Sequence, residues 1–429
     1  MSIYDYEKVF GVQDMTTRAM RQAIQRWFSM YYDGTSGETL DPCQRIPYTV
    51  VNKLVKAVFG EYKAAADTPF GNDVLAQLDE KKRMALQLAL VGGACYLKPC
   101  PNGTGFSFTL VPRDRALIFG RDANGRPTDI GLVETYIEGN SYYTLLERRQ
   151  VDGDGYLTII NRLYRSRDAQ NLGVEVPLQN VPAYKDLAQQ YRFEKPVGSV
   201  GLTEMKMPML NCVDGSSDGV AVYAAAEGLI HNINQNEAQM NGEFSRGESR
   251  VFASRDLLDR EQGLQDHLFV GLDDDPEHVG ITVFSPQLRE QSYLARKQEY
   301  LRNVESLLGL KRGMLSDANM EDRTATEITA STAEYSLTVI DLQQMWQKAA
   351  EQTLALCGIL AELYGLPEKK TGAVRLDWGN GNLYDQEKTW ADYMEMVSRG
   401  MLKPEVALAW RFGLVGVDEK TIREKFMPN

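Results

Sequence analysis

The sequence predicts an α+β chain in which helical segments flank one mostly antiparallel β region. Three observations predict this class. Apolar residues recur every three or four positions up to about residue 91, they alternate between residues 94 and 164, and the helical period returns from residue 218 onwards. The chain has 429 residues. One hydrophobic core rarely serves more than roughly 250–300 residues, so we expect two or more domains.

The N-terminal part of the chain is predicted to be helical. Apolar stripes indicate three helices, over 16–32, 47–66 and 74–91. Gly92 and Gly93 follow the last stripe directly, which is typical of a helix C-terminus.

From Ala94 the alternating pattern predicts six short strands, separated by turn signals such as Asn102-Gly103 and Asn124-Gly125. The strands are predicted over 95–98, 105–111, 116–119, 129–137, 141–149 and 156–164. Residues 165–215 are rich in loop-forming residues and give no clear pattern.

One turn in this region, Asp152-Gly153-Asp154-Gly155, has the composition of a calcium-binding loop. It lacks the spaced acidic ligands and the terminal glutamate of an EF-hand. We therefore interpret it as a hairpin turn.

The second half of the chain shows a characteristic order of elements. A helix over 218–247 leads into a small α/β insert over 250–284, and a second helix over 285–308 leaves it, with Ser285-Pro286 as its start signal. The insert is predicted to contain three strands (251–253, 267–271, 281–284) and a short helix (255–262). A polar loop, a very long helix, one strand and three small helices then follow, over 310–323, 324–364, 374–377, 385–399, 404–410 and 418–425.

Composition excludes several classes of protein. The formal net charge of −12 argues against wrapping of nucleic acid on a basic face, although a local basic surface remains compatible with it. The five cysteines form no CxxC pair, so neither a disulfide scaffold nor a zinc ribbon is expected. We expect no signal peptide, because the N-terminus has no basic region followed by an apolar run. We expect no membrane span, because no run of about 20 apolar residues is present.

The sequence does not indicate catalysis. It contains no P-loop and no GxSxG or HExxH motif. The spacing of its three histidines gives no shared helical face and no pair of metal ligands. The sharpest candidate for a cation site is Asp273, Asp274 and Asp275, followed by Glu277 and His278. A run of acidic residues is more often a solvated turn, and we favour that interpretation. We therefore expect no enzymatic activity, no metal and no cofactor, and keep a nuclease that uses this acidic run as an alternative.

Over nearly its whole length the chain resembles the portal proteins of tailed phages and prophages, specifically the A118/SPP1-like group. The resemblance rests on the ordered set of four segments, not on one motif. They are DGVAVYAAAEGLIHNINQNEAQMNGEF with RGESRVFAS after it, SPQLREQSYLARKQEYLRNVESLLGLKRGMLS, RTATEI, and VRLDWGNGNLYDQEKTWADYMEMVSRGMLKPEVAL. The helical N-terminus and the β-rich part that follows it also fit.

The resemblance implies a division of the chain into named parts. Residues 1–217 would form a wing of helices and antiparallel strands, 218–249 and 285–309 the two stem helices, and 250–284 a small α/β clip. Residues 310–323 would be a tunnel loop, 324–378 a long kinked wing helix with its following strand, and 379–429 a crown shorter than in many relatives.

The resemblance also implies a function and partners. Portals are usually twelvefold rings at one capsid vertex, through which double-stranded DNA enters during packaging and leaves at infection. Expected partners are further copies of the chain, duplex DNA without sequence specificity, the large terminase, a head-completion adaptor, and the major capsid and scaffold proteins. The chain would be assembled in the bacterial cytoplasm and reside in the virion, without contact to a membrane.

Candidate site residues follow from this assignment. Lys311, Arg312 and Arg323 flank the tunnel loop and are candidates for DNA proximity. The candidates facing the channel from the stem are Arg289, Arg296, Lys297 and Arg302. The candidates for partner docking on the clip are Arg255, Asp256, Asp273, Asp274 and Asp275.

Charge supports the stem candidates, with one alternative. Residues 285–312 carry six cations and three glutamates, a net charge of +3, which copies in a ring would multiply into a positive collar. The alternative is that these charges form ion pairs, for instance Glu299 with Arg296 and Arg302, or pairs between subunits. The alternative function is another oligomeric connector or minor head protein.

Overall fold

The computed structural model describes residues 3–32, 44–246, 250–254, 269–272, 282–284, 289–317, 325–379, 386–412 and 419–426. The chain divides into two compact units. The first contains the described residues within 1–32, 47–224 and 336–429, and the second those within 33–46 and 225–335. Helices and largely antiparallel sheets are both present, so the fold is α+β.

The helices and strands follow one another in this order. Up to residue 166 they are α1 (Ile3–Phe10), α2 (Arg18–Tyr32), α3 (Ile46–Val58), β1 (Lys63–Ala66), α4 (Pro69–Gly92), β2 (Ala94–Asn102), β3 (Gly105–Pro112), β4 (Ala116–Arg121), β5 (Pro127–Glu138), β6 (Ser141–Val151) and β7 (Leu157–Ser166). After it they are β8 (Val174–Val176), β9 (Gln190–Arg192), β10 (Thr203–Lys206), α5 (Glu227–Arg246), β11 (Arg250–Ser254), β12 (Phe269–Leu272), β13 (Thr282–Phe284), α6 (Glu290–Leu307), α7 (Ala325–Leu363), β14 (Val374–Asp377), α8 (Gln386–Ser398), α9 (Pro404–Phe412) and α10 (Glu419–Phe426).

Helix α4 shows how local sequence sets the bounds of an element. The Thr68 side chain caps its N-terminus by accepting the N–H of Gly71 at 3.1 Å, and Pro69 stands at the first helical position. At the other end Gly93 adopts a φ of +82°, and a Cβ there would lie 2.2 Å from the carbonyl oxygen of Gly219. Gly93 therefore both ends the helix and permits the chain to pass close by.

The predicted antiparallel β region is confirmed in the first unit. Strands β4 to β8 form one sheet in sequential order, with β9 also paired to β7, and all of these pairings are antiparallel. A second sheet has the order β10-β2-β3, and β1 pairs with β14. All six predicted strands are present, with bounds that differ from the predicted ones by one to four residues at one end or both.

The turn at Asp152 is the predicted hairpin turn between β6 and β7. One carboxylate oxygen of Asp152 accepts the N–H of Asp154 at 3.1 Å and that of Tyr156 at 2.9 Å. The other accepts a hydrogen bond from Arg192 at 2.6 Å. Both oxygens are used to close the turn.

The long helix α7 contributes the core of the first unit through its second half. Trp346 is fully buried, and its ring nitrogen donates to the Tyr62 hydroxyl at 3.1 Å. The indole also meets the Phe59 ring edge-on at 5.4 Å between centroids. Its indole N–H is therefore satisfied in an otherwise apolar contact, as buried tryptophan requires.

The second unit contains the predicted helix–insert–helix order. Helices α5 and α6 flank a three-stranded sheet of order β12-β11-β13, in which β11 runs parallel to β12 and antiparallel to β13. The predicted helix over 255–262 lies outside the described residues. So does the predicted start signal at Ser285-Pro286. The prediction that the second helix starts at residue 285 is wrong, because Arg289 is not helical and α6 begins at Glu290.

The prediction of one helix over 47–66 is wrong at its end. Helix α3 stops at Val58, and Lys63–Ala66 forms β1, paired with β14 some 300 residues later. The sequence of β1, KAAA, favours a helix locally. Pairing with a distant strand overrides that preference, which no local pattern reveals.

The prediction of a helix from residue 218 is wrong at its start, because α5 begins at Glu227. Residues 218–223 are not helical and are held by contacts within the first unit, and a 3₁₀ turn at Ala224–Ala226 leads into α5. Asp218 accepts hydrogen bonds from Arg121 at 2.9 Å and Arg113 at 3.3 Å. The Tyr223 hydroxyl donates to the Trp27 carbonyl at 2.8 Å.

Candidate DNA-channel surface

Helices α5 and α6 run antiparallel and are joined by side-chain contacts. Lys297 pairs with Glu237 at 2.8 Å, and Arg289 pairs with Glu243 at 3.0 Å. The residue number of the paired position thus rises along α5, from 237 to 243, while it falls along α6, from 297 to 289. Asn236 adds a hydrogen bond to the Tyr293 carbonyl at 3.0 Å. The insert between the two helices therefore turns the chain back.

The Arg289–Glu243 pair lies where the helices approach the insert. Hydrogen bonds from the Arg289 side chain and backbone lower the pKa of Glu243 to about 2. The same pair raises the pKa of Arg289. Arg289 remains largely exposed, so the pair contributes little to stability and is weakened by salt.

The remaining stem candidates differ in their surroundings. Arg296 pairs with Glu299 at 3.2 Å, and its guanidinium lies 4.6 Å from the centre of the Tyr300 ring. Arg302 is partly buried, and its Nε has no hydrogen-bond partner among the described residues. Arg289, Arg296 and Lys297 thus form ion pairs within one chain. Of the two pairs that the sequence offered as the alternative, Arg296 with Glu299 is present among the described contacts and Arg302 with Glu299 is not. Arg289 and Lys297 pair instead with glutamates of α5.

The charges of α5 lower the net charge expected of the stem. Helix α5 contains three glutamates and one arginine, a net charge of −2. Added to the +3 of residues 285–312, this leaves +1 for the helix pair and the residues that follow it. The net positive charge of the stem is therefore smaller than the α6 segment alone indicates.

The loop after α6 is described up to Asp317. Lys311 and Arg312 both lie exposed on it. Glu305, in the last turn of α6, is 1% exposed and accepts hydrogen bonds from the loop backbone, including that of Ser316 at 2.8 Å. In the sequence Glu305 is one of the three glutamates of residues 285–312, and the charge count does not reveal this role.

The other candidates fall outside the described residues. On the insert these are Arg255, Asp256, Asp273, Asp274 and Asp275, and at the end of the tunnel loop it is Arg323. Their assignments stay predictions.

The first unit contains buried charges of a different kind. Glu147 on β6 is 5% exposed and pairs with Lys98 on one oxygen and Arg149 on the other. Burial alone would raise the pKa of Glu147, but the two cations lower it to about 2. Every one of these charged groups is compensated within the chain, which is typical of a structural cluster.

A cleft of about 610 Å³ also lies in the first unit, between the residues around β10 and the second half of α7. Its acidic residues are Glu204 and Asp341, and Glu204 is already paired with Arg121 at 3.4 Å. Among the residues that the structure describes, three or more potential metal ligands nowhere come together. No described helix is long and apolar enough to cross a membrane.

Comparison with known proteins gives a structural match at low sequence identity. No family model and no curated protein matches the chain. A solved structure entitled "Neck of native GTA particle", computed with twelvefold symmetry, contains a similar chain. The TM-score is 0.48 at 13% sequence identity, and the alignment covers 95% of this chain and 98% of that one.

Proposed function

We propose that this chain is a portal subunit: copies close into a ring at one capsid vertex, and duplex DNA passes through the ring during packaging and ejection. One observation carries the proposal. An antiparallel helix pair, α5 and α6, flanks a three-stranded insert and is followed by a loop and the 39-residue helix α7. This is the order on which the resemblance to the SPP1-like portals rests. We propose no enzymatic activity.

Exposed apolar side chains on the helix pair support assembly. Near the insert, Phe244 on α5 and Leu294 on α6 are each 41% exposed. Within α7, Leu337 is 63% and Ile340 is 42% exposed. A helix that presents apolar side chains to water is stabilised when another surface covers them. Identical copies in a closed ring would supply that surface to every subunit.

The charge distribution is consistent with DNA that moves through the ring. Phosphate contacts carry no sequence information, as transport of a whole genome requires. Arg289, Arg296 and Lys297 are partly neutralised by their glutamate partners. A nearly neutral stem would attract duplex DNA weakly, and weak contacts would let it slide.

Partner roles follow from the same assignment. The insert at 250–284 would form the clip on which the large terminase docks during packaging and the head-completion adaptor afterwards. The outer surface would contact major capsid and scaffold proteins, and the mature protein would reside in the virion. Twelve is the number of copies usual in the family that the sequence resembles.

Replacing Leu294 with glutamate tests the assembly interface. We expect Leu294→Glu to shift the purified protein from rings towards small species by at least tenfold in population, because a charge would have to be buried between copies. Ser292→Glu is the matched control: Ser292 is exposed on the same helix, about 200° away around its axis, and should leave assembly unchanged. Mass photometry measures both. Equal assembly of the two variants would exclude this face of α6 from the interface.

Two other functions make different predictions. A smaller head–tail connector or minor head protein would also be oligomeric but would not be needed for DNA to enter the capsid. A nuclease built on the acidic run would show metal-dependent turnover that is lost in Asp273→Ala with Asp274→Ala. An assay of terminase-dependent DNA packaging and a nuclease assay on the purified ring therefore distinguish the portal, the connector or minor head protein, and the nuclease.

A further inference from the structure

The carboxylate of Glu305 is the centre of the loop that follows α6. It is 1% exposed, and one oxygen accepts the backbone N–H groups of Gly313 at 3.1 Å, Leu315, and Ser316 at 2.8 Å. The other oxygen accepts the Ser316 hydroxyl at 2.8 Å. Four donors from the loop thus converge on one negative charge, and hydrogen bonds to an ionised acceptor are stronger than neutral ones.

Glu305 stands where local sequence preference disfavours it. It lies in the last turn of α6, and the partial negative charge of a helix C-terminus repels a carboxylate. Its burial adds a second cost, since a charge leaves water. The loop offsets both costs by directing its N–H groups at the carboxylate. The carboxylate of Glu305 therefore stabilises the ordered loop and does not stabilise the helix.

Two more contacts fix the ends of the same loop. At its start the Leu310 N–H donates to the Glu305 carbonyl at 2.8 Å. At its described end the Asp317 N–H donates to the Gln298 side chain at 2.8 Å. The segment 310–317 is thus bound to α6 at its beginning, middle and end.

We propose that Glu305 is a positioning residue that holds segment 310–317 against α6 and thereby presents Lys311 and Arg312 as a fixed, outward-facing pair of cations for the DNA backbone. The DNA part of this inference rests on the proposed function. The charge of Glu305 is directed inwards to backbone amides, whereas the side chains of Lys311 and Arg312 remain exposed. A fixed pair meets phosphate without the entropic cost of ordering the loop at each contact.

Hydrogen exchange of the full chain tests the positioning role. In Glu305→Ala, we expect the amides of Gly313, Leu315 and Ser316 to exchange about tenfold faster or more, because they lose a charged acceptor. Glu299→Ala is the matched control, since Glu299 is an exposed glutamate of the same helix whose described partner is Arg296. It should leave these amides unchanged. Ser316→Ala, which removes a single bond to the same carboxylate, should give an intermediate increase.

Electron microscopy and packaging assays on the same variants separate positioning from general stability. We expect Glu305→Ala to keep its rings while losing packaged DNA, because the loop loosens but the ion pairs between α5 and α6 remain. Unchanged exchange in both Glu305→Ala and Ser316→Ala would overturn the positioning role even if rings form. If the wild-type chain forms no rings, the portal function fails instead, and the exchange data still decide whether Glu305 orders the loop. Normal packaging by Glu305→Ala with a loosened loop would overturn the link to DNA.

Discussion

Particles built with a Lys311→Glu, Arg312→Glu variant are expected to contain at least tenfold less packaged DNA than wild-type particles, while the rings themselves assemble normally. Both side chains lie exposed on the loop after α6, so their reversal disturbs no core. Replacing two cations with two anions changes the loop charge by four units per subunit, and a ring multiplies that change. Like charge close to the phosphates would repel DNA at short range.

An adjacent pair of lysines elsewhere in the chain is the control for this variant. Lys369 and Lys370 are both exposed, on the segment between α7 and β14. Lys369→Glu with Lys370→Glu makes the same change in net charge, and its packaging should match that of wild type. Nuclease-protected DNA per particle measures the effect. Normal packaging by the Lys311, Arg312 variant would remove the loop from the mechanism.

The largest expected effect on stability comes from Glu147. Glu147→Gln leaves the buried Arg149 and the partly buried Lys98 without their shared anion, which should lower the free energy of unfolding by about 3–5 kcal/mol. Glu175→Gln is the control, because Glu175 is half exposed where it faces Arg162 and should change stability by less than about 0.5 kcal/mol. Urea unfolding measures both. If the free energy of unfolding falls no more in Glu147→Gln than in the control, the ion pairs of Glu147 with Lys98 and Arg149 do not stabilise the fold.

The same residue predicts a pH dependence of stability. The pKa of Glu147 is lowered in the folded chain to about 2, below its ordinary value of 4.5. The folded state therefore binds fewer protons than the unfolded state between these values. The stability that Glu147 contributes is complete above pH 4.5 and is lost as the pH falls towards 2. The glutamine variant should lack this part of the acid-induced loss.

Local pattern predicts the elements of this fold where the side chains that form them are close in sequence. The alternation between Ala94 and Tyr164 predicts all six strands, because one face of each is buried. The order α5, insert, α6 and α7 also follows from periodicity. By contrast, β1 depends on β14, and the non-helical segment at Asp218 depends on Arg113 and Arg121. Contacts across 100 to 300 residues leave no local pattern.

The candidate site was predictable in location but not in its contacts. Sequence indicates the cations of α6 and the loop after it. It does not indicate which glutamates form ion pairs with Arg289 and Lys297, because those glutamates lie on another helix, α5. Glu305 did leave a signal, since an acidic residue in the last turn of a helix opposes the helix dipole. Such a residue deserves to be examined as a possible acceptor for the loop that follows it.

Negative-stain electron microscopy of the purified wild-type chain at high concentration is the most direct test of assembly. We expect closed rings with a central hole wide enough for duplex DNA, because neighbouring copies then cover the exposed apolar side chains of α5, α6 and α7. The portal function would be contradicted by a stable monomer under the same conditions in which Phe244, Leu294 and Leu337 are buried.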